Sequence, residues 1–205
     1  MSSTLVETIA PSTIDVDGVI HNTRVLIESN AIQARVTEMG FEIANSYAVD
    51  EEVLVLCVMN GAKPFATDLQ AAMQQARSDL KIDSSSIKVS SYEGARSTNQ
   101  IRLDIPLTVD ITGKNVLVAE DIFDSGQTLL WLIDYLKKKD PGTLAVAVAI
   151  NKANPDRPEG MLGDTKQYYG FLVPNGFIIG YGLDYKQQYR DLPSVHSLRP
   201  EITDL

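Results

Sequence analysis

Residues 116–128 constrain the fold more than any other segment, because they place a buried strand directly before an acidic turn and a helix. The first part, Val116–Ala119, is a short apolar run, which is typical of a strand buried on both faces of a parallel sheet. A helical pattern of apolar residues begins at Leu129. Between the strand and the helix lie three acids and a polar turn: Glu120, Asp121, Asp124, Ser125, Gly126, Gln127 and Thr128.

This arrangement predicts a binding site for a phosphorylated sugar. The turn and the start of the helix offer backbone N–H groups to a phosphate. Carboxylates at the end of a strand can hold sugar hydroxyls, either directly or through Mg²⁺. The alternative is an ordinary turn between a strand and a helix, in which an acidic side chain only caps the helix.

Apolar strands alternate with amphipathic helices along the chain, which predicts a mostly parallel α/β sheet flanked by helices. Ile101–Leu107 alternates apolar and polar residues and is expected to return as a flap strand. Ligands of such sheets bind beyond the carboxyl ends of the strands, where the acidic turn is expected. The predicted buried strands are Val53–Met59, Val116–Ala119 and Leu144–Ile150, further strands are predicted at Ile87–Tyr92 and Phe177–Gly182, and the predicted helices run through residues 32–44, 65–77 and 129–139.

The length of 205 residues fits one domain with a small flap. Residues 1–20, which are interrupted by Pro11 and Gly18, are expected to form an N-terminal extension, and residues 21–205 a single domain. No apolar run approaches the length of a membrane span, and the first residues lack a secretory signal. The single cysteine, Cys57, fits a reducing cytoplasm.

The formal net charge of −9 disfavours a nucleic-acid partner, since surfaces that bind nucleic acid are normally basic. An anionic ligand would therefore be held by local groups, namely backbone amides, Mg²⁺ and a few cations. His21 and His196 lie at opposite ends of the chain and lack the spacing of metal ligands. We expect neither nucleic acid nor a membrane among the partners.

The acidic segment resembles the motif that binds phosphoribosyl pyrophosphate (PRPP) in phosphoribosyltransferases. That motif has an apolar run, two acids, two apolar residues and Asp-Thr-Gly-x-Thr, and here Ser125 stands where threonine is usual. The resemblance implies that Glu120 and Asp121 orient the ribose hydroxyls and take part in binding Mg²⁺. It also implies that residues 124–128 hold the 5′-phosphate, and that Asp124 accepts or shares the purine N7 proton.

Residues 57–62 resemble the pyrophosphate-binding loop of hypoxanthine–guanine phosphoribosyltransferases. That loop often reads Leu-Lys-Gly-Gly or Leu-Lys-Gly-Ala, and here Asn60 stands at the lysine position. The resemblance implies that backbone N–H groups around Asn60 and Gly61 bind pyrophosphate, in a loop with a non-proline cis peptide. A plain tight turn at Asn60-Gly61 is the alternative.

Two later segments also resemble this family. Ser91-Tyr92 resembles the start of the flexible catalytic loop, which would close over PRPP. Phe177–Tyr185 resembles the purine hood, which implies that Phe177 stacks on the base and that the main chain at Ile178 reads its edge. Three further roles are implied: Lys152 donates to the 6-oxo group of the purine, Asp184 contacts Mg²⁺ through water, and Arg190 reaches pyrophosphate. The simpler alternatives are a solvated charge for the lysine and core packing for the aromatic.

The resemblance covers roughly residues 22–195 and implies a type I phosphoribosyltransferase-like α/β fold with a small hood subdomain. The implied activity is purine salvage, in which PRPP and hypoxanthine or guanine give IMP or GMP and pyrophosphate. The resemblance also implies a homodimer or homotetramer. One alternative is the same chemistry with xanthine, and another is a non-catalytic PRPP-sensing regulator, against which Asp124 and Lys152 argue.

Overall fold

The computed structural model describes residues 11–16, 19–91 and 101–199. Within these ranges the chain forms three helices, α1 (Ser29–Ala44), α2 (Lys63–Ala76) and α3 (Gln127–Lys137). It also forms ten strands: β1 (Pro11–Val16), β2 (Val19–Ile27), β3 (Glu52–Val58), β4 (Lys81–Ser91), β5 (Ile101–Ile105), β6 (Asn115–Phe123), β7 (Thr143–Ala153), β8 (Lys166–Pro174), β9 (Phe177–Ile179) and β10 (Val195–Arg199).

The main sheet has six described strands in the order β5-β4-β3-β6-β7-β8, all parallel except that β5 runs antiparallel to β4. Helices cover both faces. Val53 and Val55 of β3 pack in one buried cluster with α1 and α2, whereas Leu54 and Leu56 pack in a second cluster with α3. Burial on both faces explains why the core strands are continuous apolar runs in the sequence. The predicted mostly parallel α/β sheet is confirmed.

A small antiparallel sheet has the strand order β1-β2-β10-β9 and carries Phe177, as expected for the hood. Its first hairpin pairs Pro11 with Arg24 and Val16 with Val19. Residues 1–20 are predicted to form an extension, but residues 11–16 and 19–20 form strands, because the hairpin satisfies their backbone hydrogen-bonding groups. A domain boundary at residue 21 stays a prediction.

Two core strands run further than the sequence indicates. β6 continues to Phe123, so the pair Glu120-Asp121 lies within the strand rather than after it. β7 continues to Ala153 and includes Lys152. The parallel register between them still pairs Phe123 with Asn151. This ladder satisfies the backbone of polar residues that have no intrinsic preference for a strand.

Other boundaries also differ from the prediction. β8 and β10 were not predicted, because each depends on partners that are distant in sequence. β8 begins at the end of the predicted loop 154–166 and adds Tyr168, Phe171 and Val173 to the core. α3 begins at Gln127 rather than at residue 129. None of the helices in the described ranges has the length and apolar character needed to cross a membrane.

Candidate active site

The carboxyl ends of β3 and β6 border a cavity of about 260 Å³. It joins residues of three predicted segments, the pyrophosphate loop, the acidic pair and the phosphate turn. This convergence follows from the strand order, since parallel neighbours end at the same edge of the sheet. The lining residues are Asn60, Gly61, Glu120, Asp121 and Thr128, together with Val58, Met59, Val89 and Ile122.

The predicted pyrophosphate loop connects β3 with α2. The peptide bond between Met59 and Asn60 is cis, and the Met59 N–H donates to the Ile87 carbonyl at 2.8 Å. Gly61 lies so close to Asp121 that a Cβ would overlap the Asp121 Oδ2 atom. Glycine is therefore required at this position if Asp121 is to keep its place.

Glu120 and Asp121 contribute two neighbouring carboxylates to the lining of this cavity. Glu120 is buried, and its Oε1 atom accepts a hydrogen bond from the Asp121 N–H at 3.2 Å. Burial, followed by the charge of Asp121, raises the pKa of Glu120 well above its ordinary value. Burial also raises the pKa of Asp121, although its hydrogen bonds and the Arg190 charge oppose the rise. Such a pair of hard oxygen donors suits Mg²⁺, whose charge would favour the ionised forms.

The predicted phosphate turn opens α3. Gly126 has the left-handed φ of 79° and precedes the helix, and its carbonyl accepts from the Leu130 N–H at 2.9 Å. No described side chain caps the start of this helix, so its first N–H groups remain available to an anion. Thr128 is half-buried beside them, and Ser125 and Gln127 are exposed. The turn therefore has the form expected of a phosphate site.

Asp124 follows β6, and its two carboxylate oxygens have different partners. Oδ2 accepts from Lys152 Nζ at 2.8 Å, and Oδ1 accepts from Asn154 Nδ2 at 2.8 Å. The Lys152 side chain is 10% exposed and that of Asp124 41%, so the pair lies at the edge of the protein interior. Partial burial would raise the pKa of Asp124, but these hydrogen bonds and the charges of Lys152 and Arg157 outweigh it and lower the pKa.

Arg157, which no sequence motif indicates, binds the main chain at the start of the predicted phosphate turn. Its Nη1 atom donates to the carbonyls of Phe123 and Asp124 at 2.7 and 2.9 Å. Its Nη2 atom donates to Asn151 Oδ1 at 2.7 Å, and its guanidinium lies 4.0 Å from the centroid of the Phe123 ring. A single arginine in a polar loop gives no signal in the sequence, because its partners come from other strands.

The hood places an aromatic ring at the protein surface. Phe177 is 46% exposed although it begins strand β9. It meets Tyr185 edge to face, with ring centroids 5.4 Å apart. Ile178 is buried, and it pairs with Ser197 of β10. Exposure favours stacking on a ligand over the core-packing alternative for Phe177, while Ile178 can contribute only its main chain.

Arg190 and Asp184 connect the hood with the pyrophosphate loop. Arg190 Nη2 lies 2.7 Å from Asp184 Oδ1, and its Nη1 donates to the Gly182 carbonyl at 2.7 Å. The Gly182 backbone in turn lies against the Gly61 carbonyl. Within the described ranges, no three acids, cysteines or histidines converge as a metal cage. A metal ion held by Glu120 and Asp121 would complete its coordination with oxygen atoms of substrate or water.

Two further features are the start of the predicted flexible loop and a second cavity. Ser91 is the last residue of β4, and Tyr92 lies outside the described residues, so the predicted flexible loop stays a prediction. A larger cavity of about 460 Å³ lies between the loop after β7 and the ring of Phe123. Arg157 and Tyr169 line it, and both are already hydrogen-bonded within the protein. Glu120, Asp121 and Thr128 line the smaller cavity, whereas Asn154, which donates to Asp124, lines the larger one.

A parallel sheet with an acidic pair at its edge, a phosphate turn at a helix start and a hood sheet define the type I phosphoribosyltransferase class. The family model of the phosphoribosyl transferase domain matches residues 26–186. The chain belongs to this family. The family and fold predicted from the sequence motifs are confirmed.

Named relatives narrow the comparison. The hypoxanthine-guanine phosphoribosyltransferase of Mycobacterium avium is 38% identical over 184 residues, which cover 87% of this chain and 86% of that protein. The bifunctional protein TilS/HprT of Listeria monocytogenes is 36% identical over 187 residues, or 89% of this chain, and the match spans only 27% of its length. A crystal structure of a hypoxanthine-guanine phosphoribosyltransferase from Bacillus anthracis is 34% identical, has a TM-score of 0.74, and covers 86% of this chain and 96% of that one.

Proposed function

We propose that this protein transfers the phosphoribosyl group of PRPP to N9 of hypoxanthine or guanine, giving IMP or GMP and pyrophosphate. The observation that carries the proposal is the contact of 2.8 Å between Lys152 Nζ and Asp124 Oδ2. It brings a donor for the 6-oxo group of a purine next to a carboxylate that can take the proton from N7. A general nucleotide or sugar-phosphate site does not need this pair.

The chemistry follows from these positions. The N9 lone pair forms a bond to the ribose C1′ as the bond from C1′ to the pyrophosphate oxygen breaks, and pyrophosphate leaves with that electron pair. The N7 proton passes to Asp124, which partial exposure leaves accessible. The phosphate turn at residues 124–128 holds the 5′-phosphate through backbone N–H groups and the Thr128 hydroxyl. Phe177 stacks on the base, and the main chain at Ile178 reads its edge.

Charge on the leaving group is balanced by local groups. Backbone N–H groups at Asn60 and Gly61 bind pyrophosphate, and Arg190 approaches it from the hood. Glu120 and Asp121 would hold Mg²⁺ together with substrate oxygens, and Asp184 would contact the ion through water. When bound, the ion offsets the negative charge that develops on pyrophosphate. Ser91-Tyr92 would begin the loop that covers the reacting groups.

Two alternatives are less well supported. The relatives from Mycobacterium avium and Bacillus anthracis are named as transferases, which favours catalysis over a PRPP-sensing regulator. Both are named for hypoxanthine and guanine, and the rate with xanthine tests whether that base is used as well. We also propose that the protein is cytoplasmic, that it assembles as a homodimer or homotetramer, and that it binds neither nucleic acid nor membranes. The single cysteine supports the cytoplasmic location. The net charge of −9 argues against a nucleic-acid partner.

Steady-state rates with hypoxanthine, guanine, xanthine and adenine, each with PRPP and Mg²⁺, test the proposal. Lys152 Nζ is only a donor, and adenine presents a donor where the 6-oxo group accepts. A site built around a required hydrogen bond can reject the wrong partner by ~10⁴-fold. We expect kcat/KM for hypoxanthine or guanine to exceed that for adenine by at least about a hundredfold. Lys152→Ala should reduce the ratio of these kcat/KM values, whereas Phe177→Ala should lower the affinity for all purines alike. Equal use of adenine and guanine would refute the assignment.

A further inference from the structure

We propose that Asn154 is a positioning residue for Asp124: its side-chain amide holds one carboxylate oxygen so that the other faces the purine while Lys152 binds the 6-oxo group. The inference rests on the function proposed above. Asn154 itself touches no reacting atom in this scheme, and it acts through Asp124.

The orientation of the Asn154 amide is determined by two different partners. Its Oδ1 atom accepts from the Asp156 N–H at 3.0 Å, and its Nδ2 atom donates to Asp124 Oδ1 at 2.8 Å. Rotating the amide by 180° would place its NH₂ against a donor and its oxygen against a carboxylate. The Asn154 N–H also donates to the Lys152 carbonyl at 2.9 Å. The side chain is therefore fixed at both ends and at its backbone.

The loop that carries Asn154 is tied to the backbone of Asp124. Arg157 is three residues further along, and it donates to the Phe123 and Asp124 carbonyls and to Asn151. Two connections therefore hold Asn154 near Asp124. One is the hydrogen bond between their side chains, and the other runs through Arg157 to the Asp124 main chain. Such double attachment keeps the carboxylate in one orientation at little further loss of entropy.

When a purine binds, Asn154 is the side chain that continues to orient the Asp124 carboxylate. Lys152 is the other group bonded to the Asp124 carboxylate, and in the proposed reaction its ammonium turns toward the 6-oxo oxygen. Asp124 then keeps the amide of Asn154, which orients the anion without adding a positive charge. A carboxylate that loses its bond to a cation and keeps only a neutral donor is more basic, as the acceptor of the N7 proton should be. The charged groups that remain around it are Lys152 of β7 and Arg157 of the following loop.

Asn154→Asp is the sharpest test. It keeps the side-chain shape and the acceptor for the Asp156 N–H, but it replaces the donor to Asp124 with a second carboxylate. Asn154→Ala removes both bonds and provides the second variant. We expect kcat to fall about tenfold or more in each, which corresponds to about 1.4 kcal/mol, while KM for PRPP changes little. The acid limb of the kcat profile should move to higher pH, because an unsupported or repelled carboxylate binds a proton more readily.

A titration separates positioning from a merely structural role. The Asp124 carboxyl resonance, assigned in ¹³C-aspartate-labelled protein by its loss in Asp124→Asn, should titrate at higher pH in both Asn154 variants. Asn115→Ala is the control, because it also loses two hydrogen bonds of a side-chain amide, at the opposite end of β6. Asn115 Nδ2 donates to the Glu52 carbonyl at 3.0 Å, and its Oδ1 atom accepts from the Thr143 hydroxyl at 2.8 Å. This control should leave the titration and kcat unchanged. An Asp124 titration like that of the wild type in both Asn154 variants would overturn the proposal, even if kcat fell. This readout holds whichever purine, if any, the wild type uses.

Discussion

Gly61 packs directly against the carboxylate of Asp121, and there is no room for a Cβ between them. The contact joins the pyrophosphate loop to the acidic strand β6, so each fixes the position of the other. It also means that one methyl group can be used to displace Asp121 without changing any charge.

We expect Gly61→Ala to weaken PRPP binding in Mg²⁺ about tenfold, or about 1.4 kcal/mol. The added Cβ would force the Asp121 side chain to rotate away from the cavity. Titration calorimetry with PRPP measures the effect. Gly163→Ala is the matched control, because its φ of 58° strains an alanine although no atom lies within 4 Å of the added Cβ. The control should lose about 1 kcal/mol of stability and no PRPP affinity. Equal affinities for Gly61→Ala and the wild type would contradict the role given to this contact.

Asp124→Asn should lower turnover by ~10²–10⁴-fold, the usual range for a positioned general base. The amide keeps the shape of the side chain but cannot take the N7 proton. PRPP affinity should change much less, because the phosphate turn binds through its backbone. Initial rates and a PRPP titration on the same preparation distinguish the two effects. Turnover near that of the wild type would remove Asp124 from the mechanism.

The acidic pair predicts a pH-dependent stability in the absence of Mg²⁺. The folded-state pKa of Glu120 lies above its unfolded value, mainly because of burial. The folded state therefore binds more protons, so stability is full below the unfolded pKa and is lost as the pH rises through the folded pKa. Asp121 acts in the same direction. The lowered pKa of Asp124 has the opposite sign, but its effect is confined to pH values below the ordinary aspartate pKa.

Urea unfolding at pH 5 and pH 8 measures this effect. We expect Glu120→Gln to lose less stability between the two pH values than the wild type does. Glu42→Gln, at an exposed position on α1, is the control and should follow the wild type. The other ionisable groups contribute equally to the pH dependence of all three proteins, so their contribution cancels in the comparison. If Glu120→Gln and the wild type lost the same free energy of unfolding between pH 5 and pH 8, Glu120 would ionise as readily in the folded chain as in the unfolded one.

Cys57 should be an inert thiol. Burial, and then the charges of Glu120 and Asp121, raise its pKa to about 11. At pH 8 the thiolate fraction is then about two hundredfold smaller than in an unfolded chain with the ordinary pKa of ~8.5. Iodoacetamide should therefore modify the folded protein at least about a hundredfold more slowly than the urea-unfolded protein. Similar rates would mean that β3 opens readily or that the thiolate is stabilised.

The sequence predicted those parts of the fold that depend on local patterns. Continuous apolar runs such as Val53–Met59 indicated strands buried on both faces, and their alternation with helices indicated parallel pairing. The predicted strand limits were too short where polar residues extend a strand, as at Lys152, because there the ladder with a neighbour determines the conformation. The sequence does not predict β10, because its conformation depends on pairing with β2 and β9.

The sequence by itself determined the family and predicted the residues of the phosphate turn and the acidic pair, because thirteen neighbouring positions carry that pattern. The tertiary structure alone decided which side chains meet across strands. Lys152 and Asn154 reach Asp124 over separations of 28 and 30 residues, and Arg157 reaches the Phe123 carbonyl over 34. Such contacts depend on the β6–β7 register and on the course of the following loop. No local spacing encodes them, so they become visible only when the chain is folded.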